Sequence, residues 1–380
     1  MPDTHTPDER LARAAWSRLT EPGDPHAGAT LASLGAVDAL AWLRASARRP
    51  EQLPRSQRAC VERWAPRLEG LEPERDVAAF SRLGGRVVIP GDPEWPEALA
   101  DLGPAAPHAL WVRGAGHVPG SAGVPGGIAM VGSRASTRYG ETVARELAFG
   151  IADAGYRIIS GGAYGIDAAA HRGALAATPE GTVAVLAGGA DRLYPAGNEA
   201  MLRSITEGGL VIAELAPGAS PTRHRFLARN RVIAALGAAT VVVEAAHRSG
   251  ALSTANHAAD LLRPLGAVPG PVTSAASSGC HRLLREGKAV CVTMVEEVLE
   301  LAGPAGVFGA EPEVEPGLLD GLDPLESRVF DALPAHVGAE VSSLVRASGL
   351  GIAEVLGALG SLQIAGRVRR SGDRWARVTS

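Results

Sequence analysis

The sequence feature that most constrains the fold is a series of short apolar runs that alternate with helical stretches in the middle of the chain. The runs predict strands at Ile128–Val131, Arg157–Ser160, Val183–Leu186, Val211–Glu214, Thr240–Glu244, Ala267–Val268 and Ala289–Val292. The helical stretches between them include Glu141–Ala154, Ile166–Ala176, Asn198–Glu207 and Ser253–Leu262. Continuous apolar runs are typical of strands covered on both faces, and strand–helix alternation implies right-handed crossovers. The pattern therefore predicts an α/β fold with a doubly wound parallel sheet.

Changes in composition divide the 380 residues into four regions. Residues 1–72 carry Leu, Ala and Trp at helical spacing and predict a small helical domain, whereas residues 78–302 hold the strand–helix alternation. Residues 303–320 are rich in Pro, Gly and Glu, which is typical of a linker. Residues 321–380 show three amphipathic helical patterns and then two short strands around Ser371-Gly372-Asp373, so we expect a winged-helix-like domain.

Charge and cysteine content restrict the partners and the compartment. The formal net charge is −4 and Lys288 is the only lysine, so a contact with nucleic acid must come from a local patch of arginines. Cys60, Cys280 and Cys291 are odd in number and lack metal-type spacing, which is typical of reduced thiols in the cytoplasm. The N-terminus lacks signal-peptide features, and the longest apolar stretch, Val232–Val243, is too short for a membrane helix. We therefore expect a cytoplasmic protein without membrane segment, metal or cofactor.

Ligands of doubly wound sheets bind at the carboxyl ends of the strands, where this chain carries Gly, Ser and Arg. The first strand is followed by Gly132-Ser133-Arg134 and then by a helix, an arrangement that favours a phosphate site with Arg134 as a clamp. The alternative is an ordinary turn with a surface arginine. After the fifth strand, Ser249 and Gly250 offer a hydroxyl and backbone donors at the start of a helix.

The second strand is followed by a glycine-rich loop that contains Gly161, Gly162 and Gly165. These glycines let the backbone approach a ligand closely, and Asp167 is placed to cap the next helix. Asp167 and His171 share a helix face, so a metal pair or an acid–base dyad is conceivable. No third ligand has the right spacing, and we favour the structural interpretation of both residues.

The densest basic stretch of the chain, residues 222–231, follows the fourth strand just before an apolar helix. It holds four arginines and no acid, with Arg225, Arg229, Asn230 and Arg231 as the candidate phosphate-binding side chains. A charge run is usually a solvated face, but this position at the strand ends favours an anion-binding surface. Glu244 lies after the fifth strand, where its carboxylate either pairs with a neighbouring Arg or takes part in chemistry; the sequence leaves both open.

Together these segments resemble the DNA-processing protein A (DprA, also called Smf) family. The segments that carry the resemblance are Gly132-Ser133-Arg134 with Tyr139-Gly140, Ser160–Ala163 with Gly165-Ile166-Asp167 and Ala170-His171, Ala184–Gly189 with Asp191 and Tyr194-Pro195, Phe226 with Arg229-Asn230-Arg231, and Glu244 with Ser249–Leu252, Thr254-Ala255 and Val268-Pro269-Gly270. Departures from the family pattern include Leu227 in place of Pro, and Cys280-His281 in place of a polar pair.

The resemblance implies an extended Rossmann-like domain that binds single-stranded DNA without strong sequence preference, dimerises, and helps to load the RecA recombinase. Its positively charged pocket would comprise Gly132-Ser133-Arg134, the loop Gly161–Asp167 and Arg229-Asn230-Arg231. In bacteria that take up DNA, such proteins protect the incoming strand during transformation. The resemblance also implies a C-terminal winged helix and an N-terminal unit like a sterile alpha motif.

Two alternatives stay open beside this binding function. One is a Rossmann-like nucleotide hydrolase, similar to the phosphoribohydrolases, that uses Glu244 as its catalytic carboxylate. The chain lacks the Pro-Gly-Gly-x-Gly-Thr-x-x-Glu stretch of those enzymes, so we expect a binding protein without catalytic residues. The other alternative is a scaffold that recruits a recombinase and contacts DNA only incidentally.

Overall fold

The computed structural model describes residues 7–303, 322–334 and 337–378. The chain divides into two compact units, Met1–Gly309 and Ala310–Ser380. Apart from Gly303, the expected linker at residues 303–320 lies outside the described residues.

The first unit begins with helices that pack around two tryptophans. The helices are α1 (Pro7–Leu19), α2 (Pro25–Leu34), α3 (Ala36–Ser46), α4 (Arg55–Trp64) and α5 (Pro73–Ser81). Trp16 and Trp64 are fully buried and meet edge to face, with ring centroids 5.4 Å apart. Asp24 caps α2 by accepting a hydrogen bond from the His26 N–H at 3.0 Å, and it also accepts one from the Trp64 indole N–H at 3.0 Å. The turn between α1 and α2 is therefore held by the helical core.

Nine strands among the described residues form one sheet. They are β1 (Gly85–Val88), β2 (Leu110–Arg113), β3 (Gly127–Val131), β4 (Ile158–Ser160), β5 (Thr182–Leu186), β6 (Leu210–Ala213), β7 (Gly237–Val242), β8 (Leu265–Ala267) and β9 (Val290–Cys291). Their spatial order is β1-β2-β6-β5-β4-β3-β7-β8-β9. Strands β3 to β9 pair in parallel, which confirms the doubly wound sheet, and β1 and β2 add an antiparallel edge next to β6. The strand order reverses between β3 and β7, the position at which such sheets bind ligands.

Helices cover both faces of this sheet. They are α6 (Arg138–Asp153), α7 (Ile166–Ala177), α8 (Glu199–Gly208), α9 (Arg223–Leu236), α10 (Ala251–Asp260), α11 (Ser278–Arg285) and α12 (Val295–Ala302). The expectation that the arginine-rich stretch precedes a helix is wrong, because α9 begins at Arg223 and contains those arginines. The Thr222 hydroxyl caps α9 by accepting from the Arg225 N–H at 3.3 Å, which starts the helix one turn earlier than the apolar pattern suggests.

The second unit has the expected winged-helix arrangement. It consists of α13 (Pro324–Ala332), β10 (Ala339–Glu340), α14 (Val341–Ser348), α15 (Ile352–Ile364), β11 (Val368–Ser371) and β12 (Arg374–Arg377), with strand order β10-β12-β11. Gly372, at φ +62°, makes the turn of the wing. No single described helix is both long and apolar enough to cross a membrane. The bent pair α14 and α15 reaches the required length and composition only when the two helices are counted together.

Candidate functional site

A cavity of about 810 Å³ opens where the carboxyl ends of β3 and β7 diverge. The turn after β3, Gly132-Ser133-Arg134, forms one wall. The first turns of α9 and α10 form the opposite wall, so that two helix N-termini border the same space. Parallel strands bring their carboxyl ends, and the helix starts that follow them, to one edge of a sheet. The predicted residues Gly132, Ser133 and Arg134 therefore lie together at this cavity.

Four of the described arginines line the cavity: Arg134, Arg223, Arg229 and Arg248. Arg134, Arg223 and Arg248 are exposed, whereas Arg229 is buried. Arg223 and Arg248 were not among the candidates from the sequence. The signal that could have found them is their position, since Arg223 is the first residue after a Thr cap and Arg248 precedes Ser249-Gly250 at a helix start.

The N-terminus of α10 supplies backbone donors beside these cations. Ser249 and Gly250 line the cavity as expected, and the Ser249 hydroxyl accepts from the Ala251 N–H at 3.3 Å. The Asn230 amide donates to the Gly250 carbonyl at 3.3 Å, so this predicted residue positions the α10 start while lining the cavity itself. Unpaired N–H groups and the partial positive charge of a helix N-terminus favour an anion at this end of the cavity.

An aromatic and cationic stack forms the floor beside the arginines. The Arg134 guanidinium lies 4.3 Å from the centroid of the Phe226 ring, and the Tyr194 ring lies 6.2 Å from Phe226 on the cavity wall. Tyr194 remains 50% exposed, which leaves its face available to a ligand. A charged guanidinium over an aromatic ring stabilises both groups and gives a flat surface on which a base or a sugar can pack.

Arg229 has a largely structural role that the sequence did not indicate. Its guanidinium donates to the Gly161 carbonyl at 2.9 Å and to the Val185 carbonyl, and so joins the ends of β4 and β5. Burial lowers the pKa of Arg229 to about 10, which still keeps the guanidinium charged at neutral pH. Burial raises the pKa of the nearby Asp167 carboxyl, against the opposing effect of the Arg229 charge.

The three loop glycines shape the loop, and the expectation that they approach a ligand needs correction. A Cβ on Gly161 would overlap the Arg229 guanidinium. Gly162 and Gly165 have φ values of +67° and +76°, and a Cβ on Gly165 would overlap the Ser133 carbonyl. These glycines are therefore required because two turns and a buried guanidinium pack closely, and none of the three lines the cavity.

The expectation that Arg225 and Arg231 face the same surface as Arg134 also needs correction. Arg225 donates to both carboxylate oxygens of Glu21 at 2.8 and 2.9 Å, and Arg231 donates to both oxygens of Glu214 at 2.7 and 2.8 Å. Each lies two residues after a cavity arginine, and two helical residues differ in direction by about 200°. Hydrogen bonds from Arg225 chiefly lower the pKa of Glu21 to about 2. Arg225 therefore fastens the turn between α1 and α2 to α9, and Arg231 fastens α9 to the segment that follows β6.

Glu244 does not pair with a neighbouring arginine among the described residues, which was one of the two arrangements left open by the sequence. Its carboxylate accepts from the Thr137 N–H at 2.9 Å and the Thr137 hydroxyl at 2.7 Å, just before the start of α6. The side chain is 1% exposed and does not line the cavity. Glu244 therefore holds the turn after β3 to the end of β7.

Asp167 and His171 have structural contacts in place of the conceivable dyad. Gly165 is the N-cap residue that precedes α7, and Asp167 accepts from the Ala163 N–H at 3.3 Å, which corrects the expected helix cap. His171 is buried with Nδ1 2.7 Å from the Thr182 hydroxyl, and burial lowers its pKa to about 3. Within the described ranges, no group of three or more His, Cys, Asp or Glu side chains is placed to hold a metal ion.

Comparisons with known proteins bear on the family and the fold of the chain. A family model described as DNA recombination-mediator protein A matches residues 86–303, and a model of the DprA winged helix domain matches residues 313–374. The putative DNA processing protein DprA of Mycobacterium tuberculosis is 46% identical over 312 residues, which cover 79% of each chain. Protein Smf of Escherichia coli is 35% identical over 288 residues, covering 73% of this chain and 74% of the relative.

Two solved structures are similar in fold. The X-ray structure of DNA processing protein A from Streptococcus pneumoniae has a TM-score of 0.59 and 28% identity, and the match covers 78% of this chain and 98% of that one. DNA processing protein A from Helicobacter pylori, described for its single-stranded DNA binding mode, has a TM-score of 0.52 and 27% identity. That match covers 58% of this chain and 96% of the other.

Proposed function

The chain belongs to the DNA recombination-mediator protein A family, and we propose from this membership that its cavity between β3 and β7 binds single-stranded DNA. The observation that carries the proposal is the convergence of Arg134, Arg223 and Arg248 with the N-termini of α9 and α10 around one space. The Helicobacter pylori relative, described for its single-stranded DNA binding mode, gives the proposal independent support.

The sugar–phosphate chain is the part of the strand that this cavity suits. Arg134 and the α10 N-terminus offer donors to phosphate oxygens, and guanidinium groups pair with two such oxygens at once. Phe226 and Tyr194 give one short stacking surface, which accepts any base because every base has an aromatic face. The site therefore binds strands with little sequence preference.

Salt dependence of the wild-type protein tests this proposal. If about four phosphates are neutralised, the logarithm of the affinity for a dT oligomer falls against the logarithm of salt with a slope near −3, at about 0.7 per phosphate. Fluorescence anisotropy from low to moderate salt measures the slope, with a duplex of equal length as the comparison. Affinity that does not respond to salt, or tighter binding to the duplex, contradicts the proposal.

We further propose that the cavity binds without turnover. Glu244, the carboxylate required by the hydrolase alternative, has both oxygens engaged by Thr137 and lies outside the cavity lining. Incubation with nucleoside monophosphates is expected to release no free base by chromatography. Base release that disappears in a Glu244→Gln variant would establish the hydrolase instead.

We also propose a homodimer that helps to load a RecA recombinase onto cytoplasmic single strands during transformation and recombination. The family resemblance supports both parts of this proposal. The edge strand β9 supports the dimer, because Val290 is 57% exposed and Cys291 is exposed there. Sedimentation equilibrium tests the dimer, and stimulation of RecA strand exchange on coated DNA tests the loading. A monomer at micromolar concentration contradicts the proposed dimer. Strand exchange that is not stimulated contradicts the proposed loading of RecA.

A further inference from the structure

We propose that a second contact with the DNA backbone is made by four arginines on the N-terminal helices, Arg44, Arg48, Arg49 and Arg55. We call these four residues the α3–α4 arginine patch. The proposal rests on the proposed function in one respect, because its ligand is the same strand that occupies the cavity. None of the four residues belongs to the cavity or to the segments of the family resemblance.

Local structure holds the patch together. Arg44 lies in the last turn of α3, Arg48 and Arg49 follow that helix directly, and Arg55 is the first residue of α4. The connecting loop is fixed by Arg58, whose guanidinium donates to the carbonyls of residues 50, 51 and 53 at 3.1, 2.8 and 3.3 Å. The four exposed guanidinium groups therefore extend from one short, internally bonded segment.

The charges of the patch are not neutralised within the described structure. Residues 44–58 contain five Arg and one Glu, a net charge of +4 in a chain whose net charge is −4. No ion pair or side-chain hydrogen bond to another described residue is found for the four patch arginines. Other arginines of the N-terminal region are paired, for example Arg18 of α1 with Asp76 at 2.6 Å and Arg67, after α4, with Glu21 at 2.5 Å. The patch therefore concentrates positive charge that the folded chain does not use.

The surroundings of the patch favour the sugar–phosphate backbone of a nucleic acid over an acidic protein as its ligand. Protein interfaces usually contain an apolar centre, and between residues 44 and 58 no large apolar side chain is exposed. The other exposed residues of this segment are Ala45, Glu51, Gln52, Pro54, Ser56 and Gln57, so a single acid lies among five arginines. Guanidinium groups among amides and hydroxyls match the sugar–phosphate chain, which accepts hydrogen bonds along its whole length.

The patch and the cavity are held in a fixed relation. The turn between α1 and α2 contacts α9 through the Glu21–Arg225 pair, and its Gly23 N–H donates at 3.3 Å to Glu214, which in turn pairs with Arg231 of α9. The first turn of the same helix α9 lines the cavity. The patch and the cavity therefore belong to one compact unit, as a single long strand that contacts both surfaces would require, whereas a strand that only fills the cavity contacts one of them.

Oligomer length separates the two contacts in an experiment on the full chain. A variant with all four patch arginines changed to Gln is expected to bind a dT oligomer of about 40 nucleotides about tenfold more weakly than the wild type. Its salt slope for that oligomer should decrease in magnitude by about 2 to 3. Binding of a dT oligomer of about 6 nucleotides, which reports on the cavity alone, should change less than about twofold.

The matched control changes Arg75, Arg82, Arg203 and Arg285 to Gln, because these are also exposed and give the same change in net charge. It should bind both oligomers like the wild type, and circular dichroism should show that both variants are folded. Equal loss in the control, equal loss for the short oligomer, or an unchanged slope for the long oligomer overturns the patch proposal. Failure of the wild type to bind the short oligomer counts against the cavity function instead.

Discussion

A variant in which Arg134, Arg223 and Arg248 are all changed to Gln is expected to bind a short dT oligomer about 100-fold more weakly than the wild type. The three side chains line the cavity and are exposed, and none of them has an acidic partner among the described residues. Loss of about 1 kcal/mol for each charged contact gives about 3 kcal/mol in total, and the salt slope should decrease in magnitude by about 2. Anisotropy titrations at several salt concentrations measure both quantities.

The stability of this variant should stay close to that of the wild type, because among the described residues its substitutions break no hydrogen bond or ion pair and remove only the contact of Arg134 with the Phe226 ring. An unfolding temperature within about 1 °C of that of the wild type would confirm that the three side chains act in binding and do not stabilise the fold. A variant with Arg75, Arg203 and Arg285 changed to Gln carries the same change in net charge and should retain its affinity. If that control weakens binding as much as the cavity variant does, general charge and not the cavity determines affinity.

Replacing Arg229 with Met should, unlike the cavity variant, cause a large loss of stability. The change leaves the Gly161 and Val185 carbonyls buried without their donor, and it leaves Asp167 buried without the nearby positive charge. Unsatisfied buried groups of this kind cost about 3 kcal/mol together, which in a unit of this size corresponds to a decrease in the unfolding temperature of about 5 °C. Differential scanning calorimetry measures this decrease.

Arg134→Met is the matched control for Arg229→Met, because both arginines contact the Phe226 ring and only Arg229 bonds to buried carbonyls. The control should unfold at the temperature of the wild type and lose affinity. Should Arg229→Met instead melt like the wild type and lose only DNA binding, Arg229 is a direct phosphate ligand and the structural role assigned to it is wrong.

The sequence predicted those cavity residues that directly follow a strand. Ser133, Arg134, Ser249 and Gly250 come after β3 and β7, and parallel strands bring such residues to one edge without further information. The antiparallel strands β1 and β2 were missed because Gly85–Val88 and Leu110–Arg113 have four residues each and lie outside the strand–helix alternation that predicted the parallel strands.

The direction of the α9 side chains could not be predicted in the same way. The second half of α9 is buried on all sides, so its apolar pattern does not show which face meets the sheet. The partners that turn Arg225 and Arg231 away from the cavity are Glu21 and Glu214, and Glu21 is 204 residues distant in the chain. Likewise, the contact of Glu244 with Thr137 joins residues 107 positions apart. Such pairs are set by tertiary packing, which no local pattern encodes.

The most direct measurement is a crystal structure of the full chain with a bound dT oligomer. The proposed binding mode requires backbone phosphates inside the cavity, with at least one within hydrogen-bonding distance of Arg134 and another at the N–H groups that begin α10. A strand that lies on a different face of the sheet, with nothing between β3 and β7, would show that the cavity is not the DNA site.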